Sequence, residues 1–456
     1  MTERKIPLSQ VQFLLDESRI YAEEVLRRQL ESYNPIDLAE VLKDLEDEGK
    51  VRLFLSLGPE ARALVLDETD AESRETILAS LDVPAISDVV EEMPPDEGAD
   101  ILQQLPEEKG QEVLGEVEQD LAEELSELTR YGKDTAGGMM TTDFVEVDVA
   151  ATVGEALQKV REEEEAEHVS EVYALDARGR LRGTVDIKTL LERPPDERVS
   201  VAMTSDPLSV ALDTDQEDVA NLVNKYNLPA LPVVDVEHVM KGVITLDDVL
   251  DVIDEEVDED MLRIAGTLSR DLVSVPIRKK YVNRLPFLFT TFVGGILTIV
   301  IQYSFRFTTD QLVAITFFIP IINGLAGNVG LQSSTIMVRG FATGEIGLDR
   351  IHKLLPIEAT TGALIGLTFG VLCGVVTAVF AGALNSTALL GVVVGVSLAA
   401  ATTMASVIGT AVPAFCERVG IDPAVSAGPF IVTLLDTAAL LVYLGFATAL
   451  LQFLVR

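Results

Sequence analysis

Cysteine is scarce in this 456-residue chain, which has only Cys373 and Cys416. Two cysteines, both in an apolar region, supply neither a disulfide framework nor metal-ligand spacing. Histidine is almost as rare, with His168, His238 and His352 alone. There is no phosphate-binding loop and no Ser/His/Asp arrangement, so no catalytic constellation is visible and the chain is not expected to be an enzyme. The start, MTERKIPLSQ, contains no apolar stretch resembling a signal peptide. The N-terminal part is therefore expected to stay in the cytosol.

Positive charge is lacking over more than half the length. From Met1 to Val275 there are 25 Lys and Arg against 67 Asp and Glu, a net of −42. From Pro276 to Arg456 the count is 10 against 7, a net of +3, which brings the whole to −39. Such acidity excludes nucleic acid as a partner, because phosphates would be repelled. It suits a cation-rich partner or solvent. Lysine is scarce beside arginine, 12 against 23, which fits a salt-loving host equally well. Only local acid clusters can therefore carry a functional argument.

What the second part does have is length without charge. Five apolar runs, roughly 285–303, 312–338, 354–384, 389–415 and 423–455, are each long enough to cross a bilayer. Basic residues flank them on one side: Arg278, Lys279, Lys280 and Arg284, then Arg339, Arg350 and Lys353, then Arg418. The positive-inside rule places the N-terminus in the cytoplasm and Arg456 outside. Small residues crowd the spans, as in TGALIGLTFGVLCGVVTA, and imply close helix packing. The second span differs, because FIPIINGLAGNVGLQSS gathers Pro320, Asn323, Asn328, Gln332 and several glycines. Broken backbone and amides at this depth are expected beside a water-filled cavity.

Asp436, in VTLLDTAALLVYLGF, is the only charged residue between Asp422 and Arg456. A carboxylate at mid-span costs roughly 2.5–3.5 kcal/mol on insertion scales. A homodimer would place two copies across a two-fold axis, where a divalent cation or a shared proton would hold them together. A cation site is the first reading. A proton relay and an aspartate kept neutral by hydrogen bonds remain open.

The soluble part repeats itself. MTTDFVEVDVAATVGEALQKV from Met140 and MTSDPLSVALDTDQEDVANLV from Met203 stand 63 residues apart, and a pair of β-strands and a helix follow each. This resembles a tandem pair of CBS modules. Before them, from about Asn34 to Leu128, helical periodicity is punctuated near Pro59, Pro84, Pro95 and Pro106. Proline at a first turn predicts short helices stacked as a superhelix. After the modules, DDVLDVIDEEVDED holds nine acids in fourteen residues. Asp247/Asp251, Asp251/Glu255 and Glu256/Asp260 fall at i,i+4, where like charges repel. Divalent cations would stiffen such a helix. Asp96 and Asp100 in PDEGAD share the same spacing.

Taken together, the chain resembles the MgtE family of magnesium channels and transporters. The resemblance runs from about Asn34 to Leu454, and its most specific motifs are GNVGLQ and IDPAVSAGPFIVTLLD. It implies a multidomain fold with four parts: a cytosolic α-helical superhelix as N domain over 1–130, an α/β tandem CBS pair over 131–253, an acidic connecting helix over 254–283, and a five-span all-α membrane domain over 284–456. It implies a homodimer in the cell membrane that moves Mg²⁺ inward, with Mg²⁺ both transported and regulatory. Asp436 would be the pore aspartate, and Asn328 and Gly330 would line the pore in a broken helix. Cytosolic sensing would fall to Asp96, Asp100, Asp215, Glu217, Asp248, Asp251, Glu256, Glu259, Asp260 and Asp422. The chain departs from the pattern at Asn227, where a sensor acid is expected, and at Gly428, often an asparagine. At the end of the first module Lys188 and Thr189 replace an Arg-Asp pair, which weighs against ATP binding by the CBS pair, although Thr245 and Asp248 could meet a ribose. The rival readings are an ion-coupled carrier for another substrate with Asp436 as relay, and a non-conducting membrane sensor.

Overall fold

A computed structural model describes residues 23–162, 170–267, 277–311, 313–380, 389–426 and 428–454. His168, the connection around Asn385 and Ser386, residues 268–276 of the connecting segment and Arg456 lie outside them. The chain divides into two compact units, Met1–Ile253 and Asp254–Arg456.

Among the described residues the first unit begins with nine short helices: α1 Glu23–Leu30, α2 Pro35–Asp44, α3 Asp47–Leu55, α4 Pro59–Asp67, α5 Ala71–Ser80, α6 Val83–Val90, α7 Pro95–Gln104, α8 Glu107–Leu114 and α9 Gln119–Leu128. Proline stands in the first turn of α2, α4, α6 and α7, where its missing N–H is no loss. Asn34, Asp70 and Asp82 cap α2, α5 and α6 by accepting from the amides of Ile36, Ser73 and Ala85. Each helix is too short to stand alone. They are held by packing at alternate positions, α2 on α4, α3 on α5, α4 on α6, α6 on α8 and α7 on α9, which winds the superhelix. Leu42, Leu53, Phe54, Leu66, Ile77 and Ile101 are fully buried between the layers.

After α10 (Ala136–Met139) the repeated modules follow, each with a small sheet. The first runs β1 Glu146–Asp148, α11 Val153–Glu162, β2 Glu171–Leu175, β3 Leu181–Asp186, α12 Ile187–Glu192, α13 Val199–Ala202 and β4 Thr204–Ser205. The second runs β5 Val210–Ala211, α14 Gln216–Tyr226, β6 Ala230–Val234 and β7 Met240–Thr245. β1 lies parallel to β2 and β2 antiparallel to β3; β5, β6 and β7 repeat that order, with Leu231 opposite Ile244. The repeat extends to detail. A register shift falls at Ala174/Leu175 and again at Val233/Val234. Both hairpin turns place one residue at positive φ, Gly179 in the first and His238 in the second. Asp176 Oδ1 and Asp235 Oδ1 accept two backbone N–H groups each to hold these turns. His238 is thus a turn residue.

Helix α15 (Leu246–Ala265) leaves the second module and carries the chain into the second unit. There α16 Ile277–Ser304, α17 Arg306–Gln311, a 3₁₀ segment Val313–Phe318, α18 Ile319–Ala342, a 3₁₀ turn Leu348–Arg350, α19 Ile351–Val379, α20 Leu389–Arg418 and α21 Pro429–Leu454 follow. Five stretches, Lys280–Ser304, Val313–Ala342, Leu348–Val379, Leu390–Arg418 and Pro429–Phe453, are long and apolar enough to span a membrane, with mean hydropathy 1.6–2.1. α20 is the hub, packing on α18, α19 and α21. Its contact with α19 is backbone to backbone. A Cβ on Gly370 would lie 2.5 Å from the Gly395 carbonyl oxygen, so the two backbones touch only because side chains are absent.

The second span differs from expectation in where it breaks. The interruption falls at Phe318, and α18 then runs without a gap through Asn323, Asn328 and Gln332. Pro320 sits in the first turn of α18, where it starts a helix instead of kinking one. Tyr443 on α21 donates to the Ile315 carbonyl at 2.9 Å, which satisfies an acceptor in the irregular turn.

Candidate ion site and acidic cluster

In the membrane unit, Asp436 lies a little over two turns into α21 and is half-buried. Among the described residues it has no hydrogen bond and no ion pair. Its carboxylate faces α18 at Gly327, where an added Cβ would stand 3.0 Å from Oδ1. Gly327 therefore leaves room on one side of the carboxylate. One residue on, Asn328 is exposed, and its Nδ2 donates to the Gly324 carbonyl at 2.8 Å. Gly324, Asn328 and Gln332, four residues apart, form an exposed polar stripe along one face of α18. Asn323 Oδ1 is sealed from solvent without a hydrogen-bond partner among the described residues. Gly330 lies on the opposite, packed face, where a Cβ would strike Leu435 and the Ala405 carbonyl. It allows α18, α20 and α21 to meet.

In the first unit, carboxylates from four elements converge. A cavity of about 140 Å³ is lined by Asp67, Asp96, Glu97, Glu171, Asp247 and Asp248 among others, and by no lysine or arginine. Asp96, in the first turn of α7, has Oδ1 buried without a partner among the described residues. Burial first, and then the charge of Asp248, push its pKa up to about 7. Asp248, in the first turn of α15, is pushed up to about 6, chiefly by burial, with Asp247 and Asp251 adding to it. Glu97 is raised by burial and by Asp67 beside it. Glu68 is raised by burial and then by Asp67 and Asp251. Sequence reasoning missed Asp67, Glu68 and Glu97. Glu97 lies inside the same PDEGAD segment, but Asp67 and Glu68 end a helix two hairpins away, with no spacing signal to join them.

The other sequence-derived candidates are dispersed. Asp100 pairs with Lys133 at 3.1 Å. Asp215 caps α14 by accepting from the Glu217 amide at 3.0 Å. At the start of α15, Thr245 donates to Asp248 Oδ2 through its hydroxyl at 2.6 Å and its backbone N–H at 3.3 Å, so this pair has a helix-capping role of its own. Asn227 ends α14 at φ 52°, a left-handed position that asparagine tolerates. In the second unit, Asp260 is raised by burial and then by Glu256. Arg263, which follows the acid run, joins Glu259 on its own helix to Asp422 in the loop before α21. Asp422 Oδ1 also accepts from the Ala424 amide at 2.7 Å. Gly428, at φ 68°, lets that loop meet α15, since a Cβ would strike the carbonyl oxygens of Arg263 and Ile264.

Among the described residues no three His, Cys, Asp or Glu side chains converge as a ready metal centre. Pairs of carboxylates do, and these fit Mg²⁺, which usually keeps several waters and takes one or two carboxylates. Asp96 with its orphaned oxygen beside Asp248 is the best-fitting pair.

A helical N domain, a CBS pair and five apolar spans with an unpaired carboxylate among them define a multi-pass membrane transporter with a cytosolic N domain. Family models match in that order: an MgtE intracellular N domain over 33–134, CBS domains over 136–196 and 198–255, and a divalent cation transporter over 319–446. A magnesium transporter MgtE of Thermus thermophilus is 35% identical over 333 residues, covering 72% of this chain and 73% of the relative. One of Bacillus subtilis is 34% identical over 330 residues, 71% of each. Among solved structures, the cytosolic domain of the Mg²⁺ channel MgtE in complex with ATP aligns at 33% identity and TM-score 0.51, covering 54% of this chain and 99% of that one. The chain belongs to the MgtE family of divalent cation transporters, a family of transporters and not of enzymes.

Proposed function

We propose that this chain forms a homodimeric, Mg²⁺-selective channel that passes the ion into the cytoplasm down its gradient. The observation that carries the reading is Asp436, a carboxylate in an apolar span, without a partner, facing the bare backbone of Gly327 beside the polar stripe of α18. Two such carboxylates across a two-fold axis attract a hydrated dication and repel one another without it. Residues 1–130 and 131–253 serve as sensor, 254–283 as connector and 284–456 as pore, with the C-terminus outside.

The acid pairs of the first unit supply the gate. At ample cytosolic Mg²⁺, ions occupy Asp96/Asp248 and their neighbours and hold the N domain against the CBS pair. When Mg²⁺ falls, the carboxylates repel and release it. The relative solved with ATP does not carry nucleotide binding over to this chain. Among the described residues, the acid-lined cavity has no base to receive phosphates.

The test is Mg²⁺ uptake into proteoliposomes. Wild-type uptake that Asp436→Ala and Asp436→Asn both abolish supports the reading. Undiminished uptake in both removes Asp436 from ion selection.

A further inference from the structure

Three cations of the membrane unit go unused in the ion-transport reading: Arg350 and Lys353 at the start of α19, and Arg418 at the end of α20. The packing of the two helices brings them together. A Cβ on Gly362 would lie 2.6 Å from that of Ser406, and Gly370 meets Gly395 in the same way, so the helices run antiparallel. Arg350 is twelve residues back from Gly362, and Arg418 is twelve on from Ser406. Both therefore fall at one end, where the 3₁₀ turn Leu348–Arg350 packs on α20. Two spans precede α19, so with the N domain in the cytosol this end faces the cytosol.

All three side chains are exposed. Among the described residues none of them makes an ion pair or a side-chain hydrogen bond, although Asp349 adjoins Arg350 and Glu417 adjoins Arg418. Beyond Lys353 the outer face of α19 is apolar and bare. Ile357, Leu364, Val371 and Val375 follow it at helical spacing and are 57–62% exposed. Only 22% of this span is buried, against 50% of the spans in α18 and α20. Thr360 and Thr368 stand on the same side, and each donates its hydroxyl to the carbonyl four residues earlier, at 2.7 and 2.9 Å. Hydroxyls facing hydrocarbon must be satisfied from within the helix, because no water reaches them.

We propose that this end of α19 binds an anionic phospholipid of the cytoplasmic leaflet. Arg350, Lys353 and Arg418 hold the headgroup phosphate, and an acyl chain lies along the stripe from Ile357 to Val375. Lysine and arginine at span ends reach the headgroup layer while their stems cover apolar surface. Each such residue within reach of an anionic headgroup favours it by about fivefold. An acidic protein segment would answer the charges but leave the stripe bare. A phospholipid answers both. The site stands whether or not Asp436 conducts ions.

The chain has no tryptophan, so Ile357→Trp gives a single reporter at the site. The test is quenching of its fluorescence in the full chain, reconstituted with brominated phosphatidylglycerol or brominated phosphatidylcholine. The expected result is quenching by both, with a preference for phosphatidylglycerol on the order of tenfold or more. Arg350→Gln, Lys353→Gln and Arg418→Gln combined should bring that preference close to one. Arg284→Gln, which removes an exposed cation near the start of α16, should leave it unchanged. Leu364→Trp, two turns deeper on the stripe, repeats the measurement if Ile357→Trp fails to fold. A preference that survives the combined change, or that Arg284→Gln lowers as far, overturns the proposal, since charge anywhere on that membrane face would then suffice. So does a reporter that neither lipid quenches, which would put protein on the stripe in place of lipid. Displacement of phosphatidylglycerol by soluble glycerol phosphate would make this a site for free phosphates, and would overturn it too.

Discussion

At the scale of single residues, two positions set what the carboxylates can do. Gly327 is the wall opposite Asp436, and 3.0 Å is closer than a Cβ normally approaches a carboxylate oxygen. Gly327→Ala should push the carboxylate off its position and lower Mg²⁺ uptake by on the order of tenfold, worth roughly 1.4 kcal/mol. Gly445→Ala on the same helix as Asp436 meets nothing within 4 Å and is the control that should transport normally. Equal losses in both would remove Gly327 from the account. Asp96 makes a prediction through its proton. Its folded-state pKa, about 7, lies above the usual carboxylate value, and that of Asp248, about 6, does also. The folded state thus binds these protons more tightly than the unfolded one. The stability they contribute is full at acid pH and is lost as pH rises through about 6 to 7. Without divalent cations, the melting temperature should fall across that window. Asp96→Asn should flatten the fall and stabilise the neutral-pH protein by about 1–2 kcal/mol, less than the shift alone suggests because asparagine accepts its present hydrogen bonds less well. A pH-independent melting temperature in wild type would contradict this.

At the scale of elements, much was legible in local sequence and the rest was not, for identifiable reasons. Prolines at 59, 84 and 95 mark helix starts because the first turn needs no N–H from them. The same rule holds at Pro320, where amides and glycines nearby suggest a break and the proline instead opens α18. Asp436 could be singled out from sequence because a lone charge in an apolar run is costly. Its neighbour Gly327 and the convergence of Asp67 and Glu97 on Asp96 depend on which helices pack together, and no local period encodes that. Arg263 is a further case. Sitting just past nine acids, it reads as helix-end charge, yet it joins α15 to the loop that enters α21. Because the pair is partly exposed, Arg263→Gln should cost about 1 kcal/mol or less in global stability. The local effect should be larger. Amide exchange at Ala424, held by Asp422, should quicken severalfold while the middle of α21 keeps its protection. Unchanged exchange at Ala424 would show that Arg263 does not order this loop.

At the scale of the molecule, the charge imbalance has two competing origins that sequence could not separate: a sensor for cations, or a surface adapted to salt. The first unit discriminates between them by where its acids are. Surface acids of a salt-adapted protein face water. Asp96, Glu97 and Asp248 instead press on one another around a cavity that no base lines. The ion pairs of this unit engage carboxylates elsewhere, as Lys133 does on Asp100, Lys241 on Glu127, and Arg180 and Arg182 on Asp176. General screening acts within a Debye length of about 8–10 Å and does not enter a buried pair. A specifically bound ion does, and it stabilises by about 2.7 kcal/mol at one hundred times its dissociation constant. Melting of the full chain should therefore rise much more with MgCl₂ than with KCl at matched ionic strength. Asp96→Asn combined with Asp248→Asn should erase most of the difference while leaving the KCl response in place. If KCl matches MgCl₂ in wild type, the acidity belongs to the solvent in which the protein works, and the buried acid pairs are not its Mg²⁺ gate.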